Sequence, residues 1–317
     1  MATNFWFWAG FVGFVLGMLA LDLGVFNRTP HVVTAKEAGM WTAVWVALAL
    51  AFAGGLALLE SHQAALTFLT GYVIEESLSV DNIFVMVLIF QYFRVPAQFQ
   101  HRVLFWGILG ALIMRGLFIA LGAALLARFE WIIYVFGALL VVTGVRMAVK
   151  QDEEFDGEQN VVVKFVRRFL PVTSDYRDKH FFAIENGRRH ATPLFLVLVL
   201  VEVTDLIFAI DSIPAIFGIT RDPFLVFTSN IFAVMGLRSL FFLLATVVER
   251  FHLLKYGLAV ILTFVGAKMI LEQWIHIPIM LSLAIVLGVL ALSIVASLIW
   301  PAAKQRSEGE TGSVFGR

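Results

Sequence analysis

The chain has 317 residues, of which 60% are hydrophobic and 15% are charged, and its formal net charge at pH 7 is zero. Soluble domains carry about 25% charged residues, and a soluble fold of this size has no means of covering so much apolar surface. The composition therefore indicates a membrane protein, and the zero net charge argues against a nucleic-acid partner. The absence of cysteine excludes disulfides and thiolate metal ligands.

Nine apolar segments are long enough to be transmembrane helices, which need roughly 20 residues each. In chain order they are residues 5–25, 41–59, 65–90, 103–126, 131–149, 193–218, 224–248, 254–272 and 278–300. The first is interpreted as a retained span because it lacks the basic region and cleavage site of a signal peptide. The sequence thus predicts one all-α transmembrane domain over residues 1–300, followed by a disordered tail at 301–317.

The distribution of basic residues predicts the orientation of the chain. Of the 23 Lys and Arg residues, 17 lie in the tail or in the loops after the first, third, fifth and seventh segments. Loops rich in Lys and Arg face the cytoplasm. We therefore expect a multi-pass membrane protein with its N-terminus outside and its C-terminus in the cytoplasm. The hydrophilic loop 150–191 would be cytoplasmic and available to a second copy or a protein partner.

A weak internal repeat relates residues 65–149 to residues 193–272. The matched residues are Arg115 with Arg238, Gly144 with Gly266, Glu75 with Asp205, and Asp81 with Asp211. Because each unit contains three predicted spans, the second unit would be inverted relative to the first. Inverted repeats are a recurring transporter design in which the substrate site lies near the membrane midplane. Chance similarity between two apolar segments is the alternative.

Acidic residues within spans are the strongest functional signal, since each costs ~2.5–3.5 kcal/mol at a helix centre. The candidate metal ligands are Asp22, Glu75, Asp81, Asn82, Glu202, Asp205, Asp211 and Ser212. Glu75 and Asn82 share one helical face, because they lie seven residues apart. Asp81 and Asp211 would join the same site only if their helices unwind locally, as ion-binding helices of transporters do.

These ligands are hard oxygen donors, which suit Mg²⁺, Mn²⁺ or Ca²⁺. The residues alone leave the choice among the three cations open. Two alternatives for the acids are structural ion pairs with Arg115 and Arg238, and a proton relay without metal. No nucleotide-binding or hydrolase motif occurs, so we expect neither an enzyme nor a bound cofactor.

The segments ESLSVDN (76–82) and TDLIFAIDSIPA (204–215) carry a resemblance to a known family. The chain resembles the TerC family of integral membrane proteins, named for tellurium resistance, and most closely its Alx branch, over nearly its whole length. The resemblance implies a nine-span protein of the bacterial inner (plasma) membrane that is related in design to the LysE group of exporters. It also implies manganese export, although some members are linked to tellurite resistance or to supplying metal to exported enzymes.

The combined prediction is a secondary exporter of Mn²⁺ that works by proton antiport through an acidic midplane site. The alternative from another class is a non-transporting membrane protein that supplies metal to exported proteins or anchors a metal or tellurite stress complex. An oxyanion transporter is disfavoured because buried acids would repel its substrate.

Overall fold

The computed structural model describes residues 5–21, 33–149, 160–173, 175–178, 180–185, 188–245, 251 and 253–300. The predicted ligand Asp22 and the predicted disordered tail lie outside these residues. The described residues form ten α-helices and a two-stranded sheet. They are α1 (Phe5–Leu21), α2 (Ala35–Leu59), α3 (His62–Tyr92), α4 (Ala97–Arg128), α5 (Ile132–Val149), α6 (Val161–Phe169), β1 (Phe182–Glu185), β2 (Arg188–Ala191), α7 (Pro193–Phe217), α8 (Pro223–Leu244), α9 (Leu254–Leu271) and α10 (Ile279–Ile299).

The starts of the helices follow from local sequence. The Ser61 side chain accepts a hydrogen bond from the backbone of Ala64 and caps α3, and Asp222 caps α8 in the same way through Phe224. Such caps satisfy backbone N–H groups that have no partner within the helix. Pro193 and Pro223 occupy the first turns of α7 and α8, where the missing proline N–H costs nothing.

The number of membrane spans is only partly confirmed. Each of the nine predicted segments coincides with a long helix, but within the described residues seven helices are long and apolar enough to cross a membrane: α2, α4, α5, α7, α8, α9 and α10. Helix α1 has 17 residues, and the apolar run of α3 is interrupted by Glu75, Glu76 and Asp81. The chain is therefore a multi-pass membrane protein, and the count of nine spans stays a prediction.

Helix packing relates the two predicted repeat units, α3–α5 and α7–α9. Helix α3 packs on α8 and α4 packs on α7, while α5 packs along α9. Exchanging the two units turns the α3–α8 pair into the α7–α4 pair and leaves the α5–α9 pair unchanged. The packing agrees with two related units that face each other, and the inverted orientation of the second unit stays a prediction.

The tightest approach between α5 and α9 is made by glycines. A Cβ atom added to Gly144 would lie 2.7 Å from the Ala259 carbonyl oxygen, and one added to Gly266 would lie 2.6 Å from the Gly137 carbonyl oxygen. The shift of 122 residues that matches Gly144 with Gly266 also relates Gly137 to Ala259. The two contacts are therefore equivalent under the sequence repeat.

The hydrophilic segment 150–191 contains ordered elements that the sequence analysis did not predict. Strands β1 and β2 pair as an antiparallel hairpin. Helix α6 packs on α7 and buries Val163 and Val166, while Phe165 and Phe169 remain exposed. The two buried valines lie three residues apart on one face of α6, which makes it a short amphipathic helix. The high charge of the segment as a whole masks this pattern in the sequence.

Two apolar clusters lie on either side of a polar layer in the helix bundle. On α7, Val197 and Val201 belong to one cluster, and Ala209 and Ile213 belong to the other. Asp205 lies between them and is the central residue of the helix. The polar layer is therefore near the middle of the spanning helices.

Candidate functional site

The side chain of Arg115 lies at the centre of the polar layer and is 2% exposed. Its guanidinium donates to the Glu75 carboxylate and forms a bidentate pair with Asp205, at 3.0 Å to Oδ2 and 2.8 Å to Oδ1. It also donates to Oδ1 of Asn230 at 3.2 Å. One arginine of α4 thereby joins acidic or amide side chains of α3, α7 and α8.

Asn82 completes this group of side chains, which we call the Arg115 centre: Glu75, Asn82, Arg115, Asp205 and Asn230. Its Nδ2 donates to Oδ1 of Asp205 at 2.8 Å. The seven-residue spacing of Glu75 and Asn82 places both on the face of α3 that meets α7. The predicted convergence of Glu75, Asn82 and Asp205 is therefore observed in the structure.

Several polar atoms of the Arg115 centre are buried without a hydrogen-bond partner among the described residues. They are Oε2 of Glu75, Oδ1 of Asn82 and Nδ2 of Asn230. The centre carries two carboxylates and one guanidinium, which leaves one negative charge in excess when all three are ionised. A buried oxygen without a donor is costly, so these oxygens can accept a further cation or donor.

Glu202 lies next to the Arg115 centre, three residues before Asp205 on α7. Its carboxylate contacts α4 at Gly110, where a Cβ atom would collide with it. Its Oε2 is buried and has no hydrogen-bond partner in the described part of the chain. Glycine at position 110 is therefore what lets this carboxylate lie between the two helices.

Asp81 and Asp211 do not lie on the faces that carry the Arg115 centre. Helices α3 and α7 run without a break past both residues, so the local unwinding that would bring them into the site is not observed. Asp211 instead accepts a 3.0 Å hydrogen bond from Thr143 of α5. Ser212 is buried, and its hydroxyl lacks a partner among the residues described.

The ligand set expected from the sequence is not assembled as a metal cage. Over the described ranges, no group of three or more His, Asp or Glu side chains is close enough to hold a metal ion. Glu75 and Asp205 instead form ion pairs with Arg115, which was one of the alternatives that the sequence left open. Its repeat counterpart Arg238 lines a small cavity that Asp205 also borders.

Asn230 is the member of the Arg115 centre that sequence reasoning missed. It is fully buried in α8, within a segment that is otherwise read as an apolar span. The available signal was a lone amide eight residues before Arg238, which carries little weight without the positions of the neighbouring helices. Its role depends on the packing of α8 against α4, which no spacing within the sequence gives.

The family model described as "Integral membrane protein TerC family" matches residues 60–306. The chain belongs to the TerC family of integral membrane proteins. The matched region contains all five residues of the Arg115 centre. The resemblance inferred from the two acidic segments is confirmed.

Curated relatives cover almost the same length. The chain is 54% identical over 292 residues to "Uncharacterized membrane protein STKORF319" of Myxococcus xanthus, covering 92% of each chain. It is 48% identical over 297 residues to the Escherichia coli (strain K12) protein named "Putative membrane-bound redox modulator Alx", covering 91% of this chain and 92% of the relative. No solved structure matches the chain.

Proposed function

We propose that this TerC-family protein is a secondary transporter that exports a hard divalent cation through the Arg115 centre. The observation that carries the proposal is the meeting of Glu75 and Asp205, two carboxylates from different helices, in the middle of the spanning bundle. Buried carboxylates in a membrane protein mark ion pathways, and Arg115 offsets only one of these two negative charges. Mn²⁺ is the proposed cargo, and this choice rests on the family resemblance.

The ligand chemistry supports a hard cation. Mn²⁺ takes carboxylate, amide-carbonyl and water oxygens in octahedral geometry. Oε2 of Glu75 and Oδ1 of Asn82 are buried with no hydrogen-bond partner in the described residues and can serve as ligands. Both oxygens of Asp205 are held by Arg115 and Asn82, so Asp205 becomes a ligand only when these bonds open.

The remaining predicted residues are proposed to line the route to this centre. Glu202 lies one turn from Asp205 and provides a second carboxylate beside α4. On the described helices, the other residues proposed for the route are Asp81, Asp211 and Ser212. Asp22, which lies outside the described residues, is proposed for its inner mouth. Asp81 and Asp211 are proposed to line the pathway and not to bind the metal together with Glu75 and Asp205, because their helices are continuous and hold them on other faces.

Export against a negative-inside potential requires an energy source. Each charge costs about 2.3 kcal/mol per 100 mV, so a divalent cation costs about 4.6 kcal/mol per 100 mV. The sequence contains no nucleotide-binding motif, and proton antiport is the proposed source. One or more carboxylates of the route would exchange protons for the metal.

The proposal is tested with the purified protein in liposomes and radioactive Mn²⁺. We expect saturable flux that depends on a pH gradient, and we expect Glu75→Gln and Asp205→Asn to reduce it by at least about tenfold, equivalent to about 1.4 kcal/mol of transition-state stabilisation. Glu60→Gln is the matched control, because Glu60 is exposed at the end of α2. Normal flux through folded Glu75→Gln and Asp205→Asn proteins would show that the centre does not carry the cation.

The second candidate is a membrane protein that handles metal for a partner without transporting it. Its structural support is the exposed apolar surface of α6 and the hairpin, which includes Phe165, Phe169 and Ile184. The Escherichia coli relative is named "Putative membrane-bound redox modulator Alx", and a chain without cysteine would need another protein for thiol chemistry. Mn²⁺ binding without flux under any pH gradient would favour this candidate.

A further inference from the structure

We propose that Arg115 is a tethered cation that replaces the transported metal in the empty carrier, and thereby permits the empty carrier to return. This inference rests on the proposed transport function. Arg115 would be a positioning residue that neutralises the binding site in one half of the cycle and leaves it in the other half.

The contacts of Arg115 are those of a substitute for a metal ion. Its guanidinium reaches the Glu75 carboxylate, both oxygens of Asp205 and the amide oxygen of Asn230. These are oxygen atoms from three different helices, which converge on one cationic group as ligands converge on a metal. The side chain is 2% exposed, and the carboxylates have no access to bulk solvent that would screen their charge.

Charge accounting explains why such a group is needed. In an alternating-access cycle the carrier reorients with the metal and returns without it, here with protons on one or more carboxylates of the route. Without Arg115, the empty centre would hold two uncompensated carboxylates in a low-dielectric environment, which strongly disfavours the closed intermediate. With Arg115 in place, the empty centre carries one excess negative charge and can close.

Charge and geometry together favour the departure of Arg115 when metal binds. A divalent cation neutralises two carboxylates by itself, and a guanidinium added to it would make the loaded centre positive. The bidentate contact also occupies both oxygens of Asp205, so metal and Arg115 compete for the same atoms. The two halves of the cycle therefore use different cations at one site.

This competition has a kinetic signature that a purely structural ion pair would not have. Exchange of metal for metal requires only the loaded carrier to reorient, whereas net flux also requires the empty carrier to return. We expect Arg115→Gln to reduce net Mn²⁺ flux by at least about tenfold while metal-for-metal exchange persists at more than about one third of the wild-type rate, so the ratio of the two falls. Mn²⁺ binds Arg115→Gln more tightly than wild type, because its competitor is gone.

The experiment measures both rates in the same liposomes. Radioactive Mn²⁺ is supplied outside, and the interior contains either no metal or excess unlabelled Mn²⁺. Arg128→Gln is the matched control, since Arg128 is an exposed arginine at the end of the same helix, and its ratio of net flux to exchange stays at the wild-type value. Size-exclusion profiles and thermal unfolding establish that each variant is folded.

A second variant keeps the test decisive if Arg115→Gln does not fold. Arg115→Lys retains the charge but cannot make the bidentate contact with Asp205, so its ratio of net flux to exchange lies below the wild-type ratio. A wild-type ratio in a folded Arg115→Gln or Arg115→Lys protein overturns the inference, as does equal loss of both rates. Absence of both rates in the wild-type protein contradicts the proposed transport function itself.

Discussion

Nδ2 of Asn82 donates a 2.8 Å hydrogen bond to Oδ1 of Asp205, the same oxygen that Arg115 contacts at 2.8 Å. The amide and the guanidinium therefore share one acceptor in the centre of the bundle. A charged acceptor makes such a hydrogen bond worth about 1.5–3 kcal/mol. Loss of the amide removes one of the two donors to this oxygen of the buried carboxylate and lowers the stability of the protein.

We expect Asn82→Leu to lower the free energy of unfolding by about 1.5–3 kcal/mol, because a hydrogen bond to the buried Asp205 carboxylate is lost. Thermal unfolding in detergent, followed by a fluorescent size-exclusion assay, measures the change. Gln63→Leu lies on an exposed position of the same helix and should stay within about 0.5 kcal/mol of wild type. Equal stability of the two variants would contradict the role assigned to Asn82.

Gly→Ala substitutions should change the stability of the protein in opposite directions, depending on whether the glycine lies in the contact between α5 and α9. A Cβ atom at Gly137 would lie 2.8 Å from the Gly266 carbonyl oxygen, and one at Gly266 would lie 2.6 Å from the Gly137 carbonyl oxygen. We expect Gly137→Ala and Gly266→Ala to destabilise the protein by about 1–3 kcal/mol through overpacking.

Gly54→Ala and Gly288→Ala are the matched controls, because a Cβ atom at either position meets nothing within 4 Å. Their higher helix propensity should stabilise the protein by up to about 1 kcal/mol. Thermal midpoints of the four proteins separate the two pairs. Stabilisation of all four would mean that α5 and α9 do not approach each other as closely as the structure shows.

Tyr176 gives a prediction about pH. Its hydroxyl donates a 2.7 Å hydrogen bond to the Phe93 carbonyl oxygen, and burial raises its pKa from 10.0 to about 12. Because the pKa is raised in the folded protein, the neutral hydroxyl is the form that the fold favours. Its contribution is complete below about pH 10 and is lost as the pH rises through about 12.

The difference in unfolding free energy between wild type and Tyr176→Phe isolates this contribution. We expect wild type to be more stable by about 1 kcal/mol at pH 8, the usual net value of a neutral hydrogen bond. The difference should shrink towards pH 12. A difference that stays constant from pH 8 to pH 12 would mean that Tyr176 does not titrate as the fold requires.

Asp205 and Asp211 lie six residues apart on α7 and should differ in their effect on metal affinity. Asp205 is in the Arg115 centre, whereas Asp211 accepts a hydrogen bond from Thr143. We expect Asp205→Asn to weaken Mn²⁺ binding by at least about tenfold, equivalent to about 1.4 kcal/mol. Asp211→Asn should reduce flux with a much smaller change in affinity, as measured by calorimetry on the purified proteins. Equal weakening by both variants would place both carboxylates in one ligand set.

Much of the Arg115 centre could be predicted from the sequence. The heptad spacing of Glu75 and Asn82, together with the repeat match of Glu75 to Asp205, predicts that these three side chains converge. The pairing of Arg115 with acids was one of the open alternatives. What spacing cannot supply is the choice of partner, because the reach of a long arginine side chain across three helices depends on how those helices pack.

Other features were beyond sequence reasoning for different physical reasons. Asp81 and Asp211 were expected to reach the site through broken helices, but Pro214 is accommodated inside a continuous α7. A proline removes one backbone hydrogen bond and need not end a helix that neighbouring helices support. The ordering of α6 depends on burial of Val163 and Val166 against the bundle, which a charge-rich loop composition conceals.

The glycine contacts between α5 and α9 also have a mechanical consequence. At Gly137 and Gly266 the backbones of the two helices lie in direct contact, because neither glycine has a side chain to hold them apart. Such close contact resists sliding of one helix along the other. Helix α5 of the first repeat unit and α9 of the second should therefore move together as one rigid body. Any change in which side of the membrane reaches the Arg115 centre would then have to come from movement of the α3–α8 and α4–α7 pairs, which pack against each other across the two units, relative to α5 and α9.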